Sequence, residues 1–541
     1  MIRVMYIVNE SGLGGAAQSL LDMLAVNDGR ICPIVIIPSA GIIEERLQQL
    51  HILYHIVSFD TDHRKIGGHS WKEDALIFRS NYETALKLQE IVRQQKIQLI
   101  HTNSSVSNVG AMLSLMTGIP HIWHIRELLE EHFGCEFVDG ELKKKLFACA
   151  DSVVSISDCV GKIYKKKYGV DCVCIYDGLH IERFIERDFS AKKANAFLMA
   201  GQITTNKGQL DAIKAVYELA RQNIEIQLYI VGAAESDYYR WLLHRCVRKY
   251  KLEHHIQILA HKKDLRELRH ECQYSITGSK MEALGRVTIE AMLAGCVVIG
   301  ADTGGTVEII GQDGSRGYLY QQGDYRDLAR AMRYALEHDK NNRFIQRAAQ
   351  DYAAETFDAS NYLERIIRLY EEVLQDKKNS AMSSGGELLE ELRNRYAMVK
   401  DIDADVELLE RHDIDHDKSR VLAEIIRRWF SIKLEKKSLG AVLAQRGIYS
   451  VAIYGMGFLG KSLYQELEDS AVGIAYVMDR ALQEDEGILK VVSLDEELPQ
   501  VDAVIVTVLG STDELCEQIK RKSGYQVITL KKLLDWCEEE L

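Results

Sequence analysis

Short hydrophobic runs alternate with amphipathic stretches along roughly the first 375 residues of the chain. The runs are rich in β-branched residues, which favours buried strands, whereas the stretches between them repeat apolar positions at helical spacing. Strand, helix and strand in this order are typical of parallel sheets covered by helices. The predicted strands form two series, at residues 3–9, 33–38, 98–103, 121–126 and 152–157, and at residues 197–203, 226–232, 256–260, 274–279 and 297–302.

These two series predict an α/β protein with two lobes in tandem, which join near residues 177–190. Such a pair of lobes leaves a cleft between them. Ligands of parallel sheets bind at the carboxyl ends of the strands, so we expect the functional residues in the loops that follow the strands.

The last third of the chain has a different pattern. Residues 376–386 are polar and rich in serine and glycine, which predicts a linker. Residues 387–443 are highly charged with helical periodicity, which favours a connecting or dimerising helical element and leaves a homo-oligomer open. From Ser450 a new strand, turn and helix begin.

Composition and charge exclude several classes of function. The net charge of −13 argues against a general nucleic-acid binder, which needs a basic face. No window approaches 18 consecutive apolar residues and no secretory signal is evident, so we expect a cytoplasmic protein. The basic runs 143–145 and 165–167 favour solvated faces, with peripheral contact at the inner face of a membrane as the alternative. The 11 cysteines lack zinc spacing, so no metal site is predicted.

Two loops that follow predicted strands have the residues of phosphate sites. Gly14 and Gly15 allow a phosphate to approach the backbone at the start of a helix, although a tight turn without a ligand has the same pattern. Lys207 lies between a strand end and Gly208, where a cation can neutralise a diphosphate leaving group. A solvated loop lysine is the alternative.

The most informative stretch is residues 279–292, where two glutamates lie eight positions apart around a helix start. Glu282 precedes the helix and can bind sugar hydroxyls, and Glu290 within it can bind ribose hydroxyls with both oxygens. The amides around Gly285 and Arg286 suit an anion, because the first amides of a helix have no partner within it. Two surface glutamates on a helix are the alternative.

This stretch resembles the retaining GT-B glycosyltransferases of family 4, and the resemblance covers roughly residues 1–375. The motifs that carry it are the two glutamates with a glycine between them, Ala294-Gly295-Cys296, Gly304-Gly305, Glu308, Asp313-Gly314 and Gly317, with weaker matches at Gly14-Gly15, His124-Ile125-Arg126-Glu127, Ser155-Ile156-Ser157 and Tyr176-Asp177-Gly178. It implies a GT-B architecture of two Rossmann-like lobes that face a cleft, and a final helix that crosses back onto the first lobe.

The resemblance and the patterns together predict five segments. They are a first Rossmann-like lobe on the acceptor side at 1–180, a nucleotide-sugar lobe at 181–355, a helix returning to the first lobe at 356–376, a linker and helical segment at 377–443, and a small Rossmann-like accessory domain at 444–541.

The resemblance also implies roles for individual residues. The predicted catalytic residues are Glu282 on the donor sugar, His124 near the anomeric centre and Lys207 on the leaving diphosphate. The predicted donor-binding residues are Gly14, Gly15, Gln202, Lys207, Gly285, Arg286 and Glu290, with Gly304 and Gly305 as weaker members. The family acts by front-face displacement on a UDP- or GDP-sugar and usually without a metal, so no further cofactor is expected.

The chain departs from the family pattern at three positions. Gln202 stands where an arginine usually accompanies the lysine, so one positive charge on the leaving group is missing, and Arg286 is a candidate to replace it. Leu284 replaces a phenylalanine, and Asp177 replaces an asparagine. Loss of a charge in a partly dry site lowers the rate by orders of magnitude unless it is replaced. A catalytically weak enzyme is therefore an alternative.

The accessory domain contains Gly455, Gly457 and Gly460 after a predicted strand, with Asp479 at the end of the next strand. Strand, glycine turn, helix and acid together match the dinucleotide-binding pattern. NAD or another nucleotide is therefore a candidate ligand, and a structural or oligomerising role is the alternative.

The sequence as a whole predicts transfer of a sugar to a hydroxyl of a glycan, lipid-linked or protein acceptor, in polysaccharide or glycoconjugate biosynthesis. The main alternative is a non-catalytic or partner-dependent GT-B scaffold or regulatory subunit. An epimerase or phosphorylase on the same fold, or an oxidoreductase run by the accessory domain, are further alternatives.

Overall fold

The computed structural model describes residues 1–67, 71–262, 264–379, 385–400, 424–425, 428–429, 432, 437–468, 470–479, 491–494, 496, 498–508 and 512–539. The chain divides into two compact units, Met1–Lys400 and Asp401–Leu541. The first unit contains two lobes, each built on its own parallel sheet.

The first lobe is built on a seven-stranded parallel sheet in the order β3-β2-β1-β5-β6-β8-β9. The strands of this lobe, of which β4 and β7 lie outside the seven-stranded sheet, are β1 (Ile2–Ile7), β2 (Ile31–Ile37), β3 (Leu53–Ile56), β4 (Arg64–Lys65), β5 (Leu99–Thr102), β6 (His121–Ile125), β7 (Cys135–Glu136), β8 (Ser152–Ser155) and β9 (Val173–Cys174). The short strands β4 and β7 pair with each other in antiparallel orientation. The central strands are buried along almost their whole length, as expected where both faces of a sheet are covered.

Six α-helices connect these strands. They are α1 (Gly15–Ala25), α2 (Ile42–Gln49), α3 (Trp71–Gln95), α4 (Val109–Thr117), α5 (Gly140–Ala148) and α6 (Asp158–Tyr168). Side chains of Asp139 and Ser157 cap the starts of α5 and α6, which satisfies amides that have no partner within a helix. A π-helical turn, Leu129–Phe133, and a 3₁₀ turn, Ile181–Arg183, complete the lobe.

The second lobe has a six-stranded parallel sheet in the order β12-β11-β10-β13-β14-β15. Its strands are β10 (Lys193–Ala200), β11 (Gln227–Val231), β12 (Ile256–Leu259), β13 (Cys272–Thr277), β14 (Val297–Ala301) and β15 (Tyr318–Tyr320). Its helices are α7 (Gln209–Ala220), α8 (Asp237–Lys249), α9 (Arg266–Glu271), α10 (Arg286–Leu293), α11 (Gly304–Ile310), α12 (Tyr325–Glu337) and α13 (Asp339–Thr356). Phe197 and Leu198, neighbours on β10, enter different hydrophobic clusters, so the sheet is covered on both faces.

Helix α14 (Ala359–Asn379) leaves the second lobe and packs into the core of the first. Tyr362, Ile366 and Tyr370 lie in one hydrophobic cluster with Val4 and Tyr6 of β1. Helix α14 therefore ties the two lobes together.

The region predicted as a linker at 376–386 is helical where the structure describes it. Helix α14 continues to Asn379, and α15 (Gly385–Val399) begins at Gly385; residues 380–384 lie outside the described part. The linker prediction was wrong at 376–379, because lysine, aspartate and asparagine at a helix end do not prevent the helix from continuing. It was also wrong at Gly385 and Gly386, where glycine is tolerated in the first turn of α15.

Helix α15 also changes the interpretation of residues 387–443 as a connecting or dimerising element. Its described residues pack on α3 and α4 of the first lobe, where the rings of Tyr396 and Tyr82 stack at 4.5 Å and Arg395 pairs with Asp139 at 2.7 Å. Most of residues 401–436 lie outside the described part.

The interpretation of the basic run 143–145 as a solvated face was wrong at Lys143. Lys143 is fully buried, and its Nζ lies 2.8 Å from Asp62 Oδ2 and donates to the Ser105 carbonyl at 2.8 Å. Lys145 pairs with Glu391 of α15 at 2.7 Å. Only tertiary contacts bring these acids to the run, so the local charge pattern could not reveal them.

The second unit contains a four-stranded parallel sheet in the order β17-β16-β18-β19. Its elements are α16 (Leu439–Gln445), β16 (Ser450–Tyr454), α17 (Phe458–Glu468), β17 (Gly473–Met478), β18 (Ala503–Val506), α18 (Asp513–Ser523), β19 (Gln526–Thr529) and α19 (Leu530–Glu539). Among the described residues of both units, no helix has the length and apolarity needed to cross a membrane.

Candidate active site in the cleft of the first unit

The centre of the candidate site is an ion pair between Lys207 and Glu282. Lys207 Nζ lies 2.6 Å from Glu282 Oε1, and the Ser279 hydroxyl donates to the same oxygen at 2.5 Å. The two charged residues follow the neighbouring strands β10 and β13, where the strand order of the second sheet reverses. Open parallel sheets bind ligands at this switch point.

The Glu282 loop is held by its neighbours. The Lys280 amide donates to the Asn206 carbonyl at 2.8 Å, which joins it to the Lys207 loop. The Gly305 amide donates to the Glu282 carbonyl at 2.8 Å, and a side chain on Gly304 would overlap that carbonyl. Gly304 and Gly305 therefore let α11 pack directly against the loop that carries Glu282.

Helix α10 begins after Gly285, whose φ of 99° lies in the left-handed region that favours glycine. Arg286, the next residue, contacts α1 of the first lobe: its guanidinium lies 2.8 Å from Asp22 Oδ2 and donates to the Ser19 hydroxyl at 2.7 Å. Glu290, one turn further along α10, pairs with Arg269. Both predicted donor-binding side chains therefore have charged partners in the unliganded chain.

The Gly14 and Gly15 turn lies across the cleft at the start of α1. Glu10 occupies its amides: the carboxylate accepts from the Gly14 amide at 3.1 Å and from the Ala17 amide at 3.2 Å. Burial raises the pKa of the Glu10 carboxyl, and these two hydrogen bonds oppose that rise. The turn is thus an anion site that a carboxylate of the same chain fills.

His124, on β6, is fully buried in a network of polar side chains. Its Nδ1 lies 3.3 Å from a guanidinium nitrogen of Arg126 and 3.2 Å from His101 Nε2. Arginine only donates, so Nδ1 accepts and the proton of neutral His124 is assigned to Nε2. Burial lowers the pKa of His124, and Arg126 and His101 lower it further, so the ring is neutral at pH 7.

The Arg126 guanidinium explains one departure from the family pattern. It forms a buried ion pair with Asp177 and donates to the Tyr362 hydroxyl of α14 at 3.0 Å. An asparagine at position 177 would leave the buried guanidinium without a charged partner, which is costly. Asp177 therefore supplies the negative charge that the buried Arg126 needs.

His132 lies in the site, although the sequence patterns did not predict it there. It belongs to the π-helical turn Leu129–Phe133, and its carbonyl accepts from the Asn206 side chain at 2.8 Å. Burial lowers the pKa of His132, the charge of Lys207 lowers it further, and Glu282 opposes both. A π-helical turn has no simple sequence pattern, but such turns occur often at functional sites.

Gln202 is exposed, and its carbonyl accepts from the Gln209 side chain at 2.9 Å. The position of the missing family arginine thus carries no charge. Arg286, the candidate replacement, is already paired with Asp22.

Further contacts hold the two lobes together. The Ser157 hydroxyl donates to the Ala283 carbonyl at 2.5 Å. The Glu308 carboxylate accepts from the Asp158 amide at 3.0 Å and the Cys159 amide at 2.5 Å, at the start of α6. A carboxylate at this end of a helix is favourable because the helix dipole is positive there.

The glycine turn of the second unit has the geometry of its sequence pattern. A side chain on Gly460 would overlap the Gly455 carbonyl, so glycine allows the helix to approach the turn closely. The Asp479 carboxylate accepts from the Met456 amide. The acid of the dinucleotide-binding pattern is thus bound by the turn itself, and a dinucleotide ligand stays a prediction.

No group of three or more histidine, cysteine, aspartate or glutamate side chains suited to a metal ion occurs among the residues that the structure describes. The predicted residues Lys207, Glu282, Gly285, Arg286 and Glu290 lie together on the second lobe, and Arg286 reaches the first.

Comparisons with known proteins match the first unit. Residues 181–351 match the family described as "Glycosyl transferases group 1", and residues 46–183 match "Glycosyltransferase Family 4". An uncharacterized glycosyltransferase of Methanocaldococcus jannaschii is 21% identical over 301 residues, which cover 53% of this chain and 78% of that protein. Glycogen synthase of Mycobacterium tuberculosis is 25% identical over 250 residues, which cover 43% of this chain and 59% of the synthase.

The structure is similar to Anabaena HepE, solved in complex with UDP and glucose, with a TM-score of 0.57 and 21% identity. The alignment covers 69% of this chain and 100% of HepE. At this identity the similarity concerns the fold, and it confirms the predicted arrangement of two Rossmann-like lobes.

Proposed function

We propose that this chain, which is a glycosyltransferase of the GT-B type, transfers a sugar from a UDP- or GDP-sugar to a hydroxyl acceptor with retention of anomeric configuration. The proposed pathway is the synthesis of a polysaccharide or glycoconjugate, with a glycan, lipid-linked or protein acceptor. The observation that carries the proposal is the Lys207–Glu282 pair at the strand switch point of the second lobe.

The proposed roles follow from the chemistry of the two side chains. Lys207 leaves Glu282 and binds the diphosphate, whose negative charge grows as the sugar departs. Glu282 then accepts hydrogen bonds from hydroxyls of the donor sugar. Both side chains are partly or largely buried, so their hydrogen bonds to substrate replace bonds that the unliganded chain makes internally.

On the first lobe, His124 donates from Nε2 to the donor sugar. This nitrogen is buried and has no hydrogen-bond partner among the described residues. Arg126 and Asp177 hold the ring in the donating tautomer. In a retaining front-face reaction, the acceptor oxygen bonds to the anomeric carbon as the phosphate leaves from the same face, and the leaving phosphate takes the acceptor proton.

Calorimetric titration with UDP and GDP tests the donor site. We expect one of these nucleotides to bind, and Lys207→Ala to abolish binding, because the diphosphate loses its cation. Lys214→Ala is the matched control, since Lys214 lies on α7 of the same lobe and pairs with Asp211. If neither nucleotide binds the wild-type chain, the proposed function is wrong.

The neutral, exposed Gln202 favours a second candidate, a non-catalytic or partner-dependent scaffold. Turnover of a UDP- or GDP-sugar by the isolated chain, lost in Lys207→Ala, excludes the scaffold. NAD is titrated in parallel against the wild type and Gly457→Asp. NAD binding through the glycine turn of the second unit, without UDP or GDP binding, would instead favour the scaffold.

A further inference from the structure

The diphosphate site needs more positive charge than Lys207 supplies. A nucleoside diphosphate carries at least two negative charges at pH 7, since the second ionisation of a phosphate group has a pKa of about 6. The family arginine is replaced by the exposed Gln202. Arg286 is already paired with Asp22 at 2.8 Å, so part of its charge is offset within the chain.

His132 is placed to supply that charge. Its carbonyl is bound by Asn206, the residue before Lys207, so the turn of the first lobe and the lysine loop of the second meet at this point. The His132 ring stacks on Phe133 with centroids 4.4 Å apart and planes inclined by 5°. Neither ring nitrogen has a hydrogen-bond partner in the described part of the chain, so both are available to a ligand.

The turn that carries His132 is held in place from the first lobe. Lys167 of α6 pairs with Glu130 at 2.7 Å and with Glu131 at 2.6 Å. The Gly134 amide donates to the Glu130 carbonyl at 3.1 Å, and the His132 amide donates to Leu128 at 2.9 Å. Because the backbone is fixed by these contacts, a substitution of the ring alone should leave the turn intact.

The charges around the ring determine its protonation. From the second lobe it is faced by Lys207 and Glu282, and on its own turn Glu130 and Glu131 are already paired with Lys167. In the unliganded chain, burial and Lys207 hold the pKa of His132 below its usual value, so the ring is mostly neutral at pH 7. A diphosphate beside Lys207 adds negative charge next to the ring, which favours the protonated form of His132.

We propose that His132 takes up a proton when the nucleotide diphosphate binds and so provides the second positive charge that the arginine provides elsewhere in the family. The proposal rests on the proposed function, because it requires a diphosphate at Lys207. The proton comes from solvent on binding and returns to solvent on release, so no covalent bond of the chain changes. Binding of UDP or GDP is then tighter at low pH than at high pH.

The test is calorimetry of UDP and GDP binding at pH 7 in buffers of different ionisation enthalpy, which counts the protons taken up per nucleotide. We expect wild type to take up a substantial fraction of one proton more than His132→Gln. Subtracting the variant removes the titration of the nucleotide itself. His244→Gln is the matched control, since His244 is exposed on α8 of the second lobe, and it should behave as wild type.

Affinity provides a second measurement on the same variants. Between pH 6 and 8, wild-type affinity should fall by up to about tenfold per pH unit, whereas His132→Gln should show only the dependence of the nucleotide. Gln202→Arg in the His132→Gln background should restore affinity without restoring proton uptake. Lys280→Ala, at an exposed cation in the neighbouring loop, should leave proton uptake unchanged, because a lysine is already charged at pH 7.

The outcomes separate this inference from the proposed function. Nucleotide binding that depends on Lys207, with equal proton uptake in wild type and His132→Gln, overturns the inference alone. Absence of UDP and GDP binding in wild type overturns both. A melting temperature of His132→Gln close to that of wild type shows that the turn is intact.

Discussion

Two glycine turns, one in each unit, follow a parallel strand and open a helix, and in each an acid of the chain accepts hydrogen bonds from the turn. Glu10 binds the amides of Gly14 and Ala17 in the first unit, and Asp479 binds the Met456 amide in the second. The local geometry is therefore similar. The turns differ in what surrounds them.

The first turn lies beside a cation, because Arg286 of the second lobe packs next to Gly15. In the described part of the second unit, the second turn contacts the Val508 side chain and the Thr507 hydroxyl, which donates to the Gly455 carbonyl at 2.5 Å. A glycine pattern thus predicts a turn, whereas its charged surroundings indicate whether an anion will bind.

The largest expected difference between the units is their response to acid. Burial lowers the pKa of His121 to about 3 and holds those of His101 and His124 well below the usual value, whereas the described residues of the second unit contain no histidine. Below pH 6.5 the unfolded state binds protons that the folded first unit excludes, and the contribution of His121 alone lowers the stability of that unit by about 2 kcal/mol at pH 5. Hydrogen exchange in urea, followed separately for the amides of each unit, measures this loss of stability.

His121→Gln should reduce the loss of stability of the first unit at pH 5 by about 2 kcal/mol, because the unfolded variant no longer takes up a proton at this position. Its Nε2 contacts the Thr102 hydroxyl at 2.8 Å, a contact that glutamine can replace. Equal acid sensitivity of the two units would contradict the prediction.

The next largest effect is expected on the stability of the second unit, where α17 packs closely against the second turn. Gly460→Ala should destabilise the second unit by about 3 kcal/mol, because its Cβ would overlap the Gly455 carbonyl. Gly457→Ala is the matched control, since an added Cβ there meets no atom of the described structure within 4 Å. Hydrogen exchange in β16 and β18 should detect the change, while UDP or GDP binding to the first unit should remain as in wild type.

Glu10 provides the test of the first turn. Glu10→Gln should tighten UDP or GDP binding about tenfold, because a negative charge no longer occupies the amides that the diphosphate needs. Burial raises the pKa of Glu10, so its ionised form destabilises the fold, and the variant should gain stability over wild type as pH rises above 4.5. Glu45→Gln, at an exposed glutamate of α2, is the control. Weaker nucleotide binding would mean that Glu10 does not compete with the ligand.

The smallest expected effect is at the corresponding acid of the second turn. Asp479→Asn should destabilise the second unit by about 1 kcal/mol, since an amide oxygen still accepts from Met456 but less strongly than a carboxylate. Thermal unfolding measures this change. A loss of UDP or GDP binding in this variant would contradict the assignment of the nucleotide site to the first unit.

Much of the fold could be predicted from hydrophobic periodicity. The predicted strands at 121–126 and 297–302 correspond to β6 (His121–Ile125) and β14 (Val297–Ala301), because buried parallel strands are continuous apolar runs. Strand β15, Tyr318–Tyr320, was not predicted, since three residues are too short to show a period. The polar composition of residues 376–386 predicts a linker, whereas residues 376–379 belong to α14 and residues 385–386 to α15.

Part of the candidate site was also visible in the sequence. Lys207 was predicted because it follows a predicted strand, and Glu282 because it lies eight residues before Glu290 at a helix start; the family resemblance implied their roles. That strands β10 and β13 are neighbours, which brings the two side chains together, is visible only in the structure. His132 was missed because it lies in a π-helical turn. Its proposed role depends on the loop that carries Lys207, the partner of Glu282, and this loop lies 75 residues further along the chain.

The sequence by itself determined the order of strands and helices, the two lobes and the loops that carry the charged residues, because periodicity and turn residues are local properties of the chain. Only the tertiary structure decided which charges neutralise one another. It paired Arg286 with Asp22, Arg126 with Asp177 and Lys143 with Asp62. The physical reason is that burial and ion pairing depend on distances across the fold, which no local pattern encodes.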